Sequence, residues 1–89
     1  MSELHKLPNI GKTLADKLKR AEINSGEDLI NIGSEQAFIR IETIDESACI
    51  NMLYALEGAV QGIRWHGLSQ ERKKELKDFY DMIMTNKNK

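Results

Sequence analysis

The segment from Leu7 to Leu18 constrains the fold most, because it places a tight turn directly before a helix. Pro8 cannot continue a preceding helix, since its ring removes the amide donor. Gly11 can take a positive φ, and Asn9 is the non-glycine residue that best tolerates left-handed backbone. The chain is therefore expected to fold back sharply here, and we predict a positive φ at Gly11.

The helix that follows this turn has the properties of an anion site. Its first amides have no intrahelical partners and carry the positive end of the helix dipole. Lys12 stands beside them, so a phosphate is the expected ligand. The pattern indicates a helix-hairpin-helix element that contacts nucleic acid, although such turns also often serve only to join two helices. The candidate nucleic-acid-binding residues are Asn9, Ile10, Gly11, Lys12, Thr13 and Lys17.

A second copy of the turn follows 22 residues further along the chain. Residues 29–33 repeat the pattern L-x-N-I-G of residues 7–11, and Ala37 stands at the same offset in the second copy as Ala15 does in the first. The N-terminal half is therefore predicted to be a degenerate tandem of helical hairpins. Glu35 follows the second turn and would repel a phosphate, so the first copy is the expected contact.

The hydrophobic periodicity predicts an all-α fold, a compact bundle of about five helices in a single domain. The hairpin half covers about residues 4–42, and the central and C-terminal helices cover about residues 47–85. The expected helices run from Lys12 to Ala21, from a Ser25 cap to Gly33, onward from Ser34, from Ser47 to Trp65, and from a Ser69 cap to the end.

The fourth predicted helix is apolar around most of its circumference and should be largely enclosed. A stripe of Asn51, Ala55, Gly58 and Gly62 lies along one side at helical spacing. Glycine inside a helix costs about 1 kcal/mol, so a close neighbour should offset it. We expect that neighbour to be the last helix or the hairpin half of the same chain. A dimer seam is the alternative, so the sequence leaves both a monomer and a homodimer open. Cys49, on this apolar helix, is expected to be an inert buried residue.

The charge is distributed unevenly although the net charge is only -1. Residues 1–25 and 64–89 are basic, whereas residues 26–63 carry seven acidic side chains against one basic side chain. Basic ends could meet phosphates, while the acidic middle could dock a basic protein partner. A protein-interaction module without nucleic-acid binding is therefore the alternative function. Its expected contact residues are Glu27, Asp28, Glu35, Asp45 and Glu46.

The sequence offers no recognisable catalytic set, metal-ligand cluster or nucleotide-binding loop, so we expect neither an enzyme nor a cofactor. No apolar run approaches the ~20 residues of a membrane span, and no signal-peptide core is present, so a cytoplasmic protein is expected. The single cysteine cannot form an internal disulfide.

Two further groups have alternative interpretations. Arg64, Trp65 and His66 could stack on a nucleic acid, but we expect Trp65 to fill the core and its neighbours to lie at a helix C-terminus. Glu57 and Gln61 lie with Arg64 along one helix edge, where a solvated or interhelical salt-bridge strip is expected.

The runs LPNIGKTLADKL, INSGEDL and NMLYALEGAVQGIRWHGLSQERKKELKDFY resemble the C-terminal domain of the TfoX/Sxy family of bacterial competence regulators. The resemblance extends from about Leu4 to Tyr80. It implies an all-helical, non-enzymatic domain tied to transcriptional control of DNA-uptake genes, and it supplies no contact residues. Together with the hairpin, it leads us to expect a regulatory domain whose contact with DNA is weak or assisted by a protein partner of the transcription apparatus. Glu22 stands where a glycine would end the first helix, so that turn is expected to close in another way.

Overall fold

The computed structural model describes residues 3–87, which fold into helices joined by short turns. No strand occurs in this range, so the predicted all-α fold is confirmed. The four α-helices are α1 (Lys12–Arg20), α2 (Gly26–Ile44), α3 (Ile50–Gln61) and α4 (Gln70–Lys87). Two short 3-10 helices, Leu4–Lys6 and Trp65–Gly67, precede α1 and α4.

The turn after α1 closes through Glu22, which itself adopts the left-handed conformation at φ 67°. Its amide donates to the Lys19 carbonyl at 2.9 Å, and the Ile23 amide donates to the Leu18 carbonyl at 2.8 Å. This pair of bonds is the Schellman arrangement that usually contains glycine. The expectation that the turn closes in another way is therefore wrong: the glycine geometry is kept, and a side chain occupies it.

The second copy of the repeat forms a bend inside α2. Ser25 caps the start of this helix, because its Oγ accepts a hydrogen bond from the Asp28 amide at 3.1 Å. Gly33 then leaves the helical region, with φ 83° and ψ 163°, and divides α2 into two segments. The predicted helix boundary at Gly33 is confirmed. Ala15 and Ala37, the matching positions of the two copies, are both buried.

The third α-helix is shorter than expected and ends at Gln61 rather than at Trp65. Gly62 has φ 76°, and the Ile63 amide donates back to the Gly58 carbonyl at 2.9 Å, which terminates the helix. Gly62 is thus a helix-ending residue and not part of an interior stripe. The chain therefore turns away from α3 early enough to place Trp65 in a separate short 3-10 helix.

The core lies between the hairpin half and the two C-terminal helices, with α3 packed against both α2 and α4. Ser69 caps α4, as predicted, by accepting a hydrogen bond from the Arg72 amide at 3.0 Å. Cys49 occupies the N-cap position of α3 without a capping hydrogen bond and is exposed, so its predicted burial is wrong. The largest fully buried side chains are Leu4, Leu18, Ile23, Leu29, Phe38, Ile41, Leu53, Leu56 and Leu76.

Candidate nucleic-acid interface

The first hairpin turn has its left-handed residue at Asn9, with φ 69°, and not at Gly11. Gly11 is extended, with φ -90° and ψ -174°, and stands immediately before α1. The predicted positive φ at Gly11 is therefore wrong, while the expected sharp reversal is present. Ile10 lies between them and points into the core, with 4% of its surface exposed. Its side chain supports the turn and cannot face a ligand.

Asn9 fixes the hairpin onto the far end of α3 through its side-chain amide. Its Nδ2 donates to the Ile63 carbonyl at 2.9 Å and reaches the Ala55 carbonyl at 3.4 Å. Its Oδ1 accepts a hydrogen bond from the Trp65 amide at 3.1 Å. Both ends of the amide are occupied within the fold, so the Asn9 side chain positions the hairpin and is not available to a phosphate.

Gly58 is the residue that allows this close approach. A β-carbon at Gly58 would collide with Nδ2 of Asn9 and would lie 2.8 Å from the Ile63 carbonyl oxygen and 3.1 Å from Cα of Trp65. Two of these three neighbours are backbone atoms, which cannot move aside as a flexible side chain would. The prediction that the hairpin half packs closely against this helix is confirmed, and the cost of a helical glycine is offset by the Asn9 contacts.

The start of α1 is the part of the predicted interface that remains open to solvent. Gly11 has no side chain with which to cap the helix, and the first turn carries no acidic residue. Lys12 and Thr13 are exposed. An open depression of about 340 Å³ adjoins them, lined also by Leu14 and Met52. Uncapped amides, an exposed lysine and the positive end of the helix dipole are the elements of an anion site.

Lys17, the remaining predicted contact, is held inside the fold. Its Nζ lies 2.9 Å from Oδ2 of Asp45 and donates to Oγ of Ser47 at 3.1 Å. Hydrogen bonds from Ser47, together with the contact from Lys17, hold the pKa of Asp45 well below its usual range. The ion pair ties the loop before α3 to α1. Only 20% of the Lys17 side chain is exposed, so its ammonium group is engaged by Asp45 and is not free to contact a phosphate.

An aromatic cluster lies next to the hairpin, between α3 and α4. The rings of Tyr54 and Trp65 are nearly parallel, with centroids 6.0 Å apart, and the His66 ring stacks on Trp65 at 4.0 Å. Trp65 packs partly against the core, as expected. Arg64 and His66 were expected at the C-terminus of the same helix, but α3 ends at Gln61, before both of them.

A buried polar network joins α2, α3 and α4 around Glu57. Its carboxylate accepts hydrogen bonds from Oγ of Ser34 at 2.6 Å, from Nε2 of Gln61 at 2.6 Å and from Nη2 of Arg72 at 3.1 Å. Burial acts to raise the pKa of Glu57, but the three donors outweigh it and lower that pKa. The expected interhelical strip therefore exists, but its cation is Arg72 rather than Arg64.

This network has no visible function in binding, because its polar atoms are satisfied by one another. Within residues 3–87 no three His, Cys, Asp or Glu side chains come together as metal ligands would. Among the same residues, no helix combines the length and the apolar character that crossing a membrane requires. The start of α1 and the neighbouring aromatic cluster are therefore the surfaces to consider for function.

Comparison with known proteins gives a family match and similar solved structures. The model of the TfoX C-terminal domain matches residues 1–80. No curated protein matches this chain. The triclinic crystal form of an uncharacterized protein from Listeria monocytogenes is 51% identical, with a TM-score of 0.92, and the match covers 93% of this chain and 94% of that chain.

A tetragonal crystal form of a protein of unknown function from Listeria monocytogenes is also similar. It is 52% identical to this chain, with a TM-score of 0.89, and the match covers 91% of this chain and 99% of that chain. At this identity and coverage, both similarities extend to nearly the whole helical arrangement described above.

Proposed function

This chain belongs to the TfoX C-terminal domain family, and we propose that it is a non-enzymatic accessory domain of transcription or competence regulation. In this proposal it contacts the DNA backbone weakly, or with the help of a protein partner of the transcription apparatus. The observation that carries the proposal is the exposed run Gly11-Lys12-Thr13 at the uncapped start of α1. A cytoplasmic location is part of the proposal, because the target is DNA.

A phosphate at this position would meet the amides of the first turn of α1 and the ammonium group of Lys12. Asn9, Ile10 and Lys17 act indirectly, because each of them holds the turn or the helix in place. The contact is small, and the net charge of -1 does not favour binding to a polyanion. We therefore expect an affinity in the micromolar range or weaker, with specificity supplied by the partner.

The test is the binding of a labelled DNA duplex at low salt, followed by fluorescence anisotropy. Each phosphate contacted contributes about 0.9 to the slope of log affinity against log salt, so a slope of about 1 to 2 is expected. Lys12→Glu should remove most of the binding. Gly11→Asp should do the same, because its carboxylate would cap α1 and repel a phosphate.

Gly11→Asp separates binding from folding. A capping carboxylate stabilises a helix start, so this variant should melt at the same temperature as the parent protein or higher. Lys74→Glu is the matched control for charge: it makes the same change on α4, where 79% of the lysine side chain is exposed. It should bind like the parent. The proposal fails if the parent protein binds no duplex at low salt, or if Lys12→Glu binds as well as Lys74→Glu.

A protein-interaction module without DNA contact is the second candidate, and an exposed apolar residue favours it. Ile30 is 50% exposed on α2, in the acidic middle of the chain and two residues after Asp28. A basic partner with an apolar side chain would fit such a surface. Copurification from the native cell, with and without nuclease, distinguishes the two functions. A partner that survives nuclease treatment and is lost in Ile30→Glu would support this candidate.

A further inference from the structure

The stack of Tyr54, Trp65 and His66 ends in solvent. The planes of the Tyr54 and Trp65 rings differ by only 12°, and those of Trp65 and His66 differ by 29°. Tyr54 and Trp65 are half-buried, whereas His66 is exposed. The cluster therefore consists of two stacked ring pairs that share Trp65, and the imidazole ring of His66 is exposed to solvent. Another planar group could extend such a stack without any rearrangement of the core.

One cation lies over the Trp65 ring, and a second is its neighbour in the chain. The Nζ atom of Lys73 lies 5.6 Å from the centroid of the Trp65 ring, and Arg64 is exposed directly before Trp65 in the chain. Within residues 3–87 neither cation takes part in an ion pair. The next lysine along this face of α4, Lys77, is paired with Asp81. The Trp65 ring thus has an ammonium group over it and an exposed arginine next to it in the chain, neither of them in an ion pair within the described residues.

We infer that the Tyr54–Trp65–His66 stack binds unpaired nucleotides of a nucleic-acid strand. A base would stack on the outer face of His66, and the adjoining phosphates would meet Lys73 and Arg64. A planar anionic ligand matches both features of the surface, and stacking together with backbone charge is how proteins hold single strands. A duplex hides the faces of its bases, so the ligand is single-stranded.

This inference goes beyond the proposed function, because it assigns a second surface to a different form of nucleic acid. The two surfaces adjoin each other. Asn9, in the hairpin, accepts the hydrogen bond from the Trp65 amide and lies three residues before Lys12. A strand leaving the start of α1 could therefore continue onto the stack. The two sites nevertheless depend on different side chains and can be tested separately.

The test uses Trp65 as its reporter, since it is the single tryptophan of the chain. A single-stranded oligothymidylate is added at low salt while tryptophan fluorescence is measured. An abasic strand of the same length and charge serves as the control. Oligothymidylate should quench the fluorescence and bind about five-fold more tightly than the abasic strand or better, because only the former can stack.

Two variants locate the site. His66→Ala should weaken oligothymidylate binding by about five-fold or more and should leave abasic-strand binding nearly unchanged. Lys73→Gln should weaken both, while Lys74→Gln, on the adjacent residue, should weaken neither. Thermal melts check that each variant is folded, and a variant that does not fold is replaced by Arg64→Gln, at an exposed position, which should weaken both strands.

Several results would overturn the inference. One is that oligothymidylate does not quench the fluorescence, and another is that the abasic strand binds as tightly as oligothymidylate. The inference also fails if Lys73→Gln and Lys74→Gln weaken binding equally, or if an oligoglutamate peptide binds as tightly as oligothymidylate. Lys12→Glu separates this inference from the proposed function: it should remove most of the duplex binding and leave quenching by oligothymidylate. If the parent protein binds duplex DNA but oligothymidylate does not quench its fluorescence, the inference about the stack is refuted and the proposed function is not.

Discussion

Asn9→Ala tests whether the hairpin is held in place by one side chain. The substitution removes the donor to the Ile63 carbonyl and the acceptor for the Trp65 amide. It also places a residue with a β-carbon and no polar group at φ 69°. The two lost effects, hydrogen bonding and tolerance of left-handed backbone, can be separated by a second substitution, Asn9→Gly. Glycine loses the same hydrogen bonds but accepts the positive φ freely.

The expected magnitudes follow from these contacts. Each of the two shorter hydrogen bonds contributes about 1 kcal/mol net, and the 3.4 Å contact with Ala55 adds little. Left-handed backbone costs an alanine about 1 kcal/mol more than a glycine. Asn9→Ala should therefore reduce the free energy of unfolding by about 3 kcal/mol, and Asn9→Gly by about 2 kcal/mol. A domain of this size has roughly 5–13 kcal/mol in total, so both variants should remain folded.

Urea unfolding, followed by Trp65 fluorescence and by far-ultraviolet circular dichroism, measures both values. Asn9→Asp is a useful third variant. It keeps the acceptor for the Trp65 amide but turns a carboxylate oxygen toward the Ile63 carbonyl, and it should cost at least as much as Asn9→Gly. A loss below about 0.5 kcal/mol for Asn9→Ala would refute the stabilising role of the Asn9 hydrogen bonds. A glycine variant less stable than the alanine variant would refute the left-handed conformation.

A double-mutant cycle tests the same contact from the other side. Gly58→Ala should cost about 1 to 3 kcal/mol, because its β-carbon meets the Asn9 amide and two backbone atoms. In the Asn9→Gly background one of these collisions is absent, so the combined loss should be smaller than the sum of the single losses. Additive losses would mean that the two residues do not touch.

Three further predictions concern other parts of the fold. Glu22→Gly should stabilise the protein by about 1 kcal/mol in urea unfolding, because glycine relieves the left-handed strain at φ 67°; a lower midpoint would contradict the turn described. Glu57→Gln should reduce the free energy of unfolding by about 1.5 to 3 kcal/mol, because the buried charge-assisted hydrogen bond from Arg72 is lost. The exposed control Glu71→Gln should change it little, and equal losses for the two variants would show that the network around Glu57 does not stabilise the fold. The pKa of Asp45 is lowered in the folded state, so its contribution to stability is present at neutral pH and lost as the pH falls below about 5. Asp45→Asn should therefore lose less stability than the parent between pH 7 and pH 3, and an equal loss would argue against the hydrogen bonds from Ser47 and the contact with Lys17 that lower this pKa.

The helix positions could be predicted from the sequence where the signals were local. Ser25 and Ser69 cap helices in the structure because a serine hydroxyl reaches an amide three residues ahead wherever the chain turns into a helix. Gly33 breaks α2 because the L-x-N-I-G pattern places a glycine directly before a new helical segment. The same pattern did not decide which residue of the first turn has positive φ. Both Asn9 and Gly11 tolerate it, and in the structure it falls to Asn9, whose side chain is bonded to Ile63 and Trp65.

The candidate site could be predicted only in part, for a related reason. The exposed start of α1 follows from the local sequence, because a glycine before a helix leaves its amides uncapped. Lys17 looked equally available, since nothing within a few residues of it is acidic except Asp16. Its partner, Asp45, lies 28 positions away and reaches it only after α2 folds back. A charge pattern along the chain cannot show such a pairing.

The sequence by itself determined the all-α architecture and most helix boundaries, because caps, glycines and hydrophobic periodicity act over three or four residues. The family followed from the resemblance of longer runs of residues. Tertiary structure alone decided which polar residues remained free. Asn9 is bound to residues 54 and 56 positions away, and Glu57 to Ser34 and Arg72 on two other helices. Hydrogen bonds that close long loops depend on how the helices pack against one another. The function of each polar side chain could therefore be assigned only after the core had placed its partners.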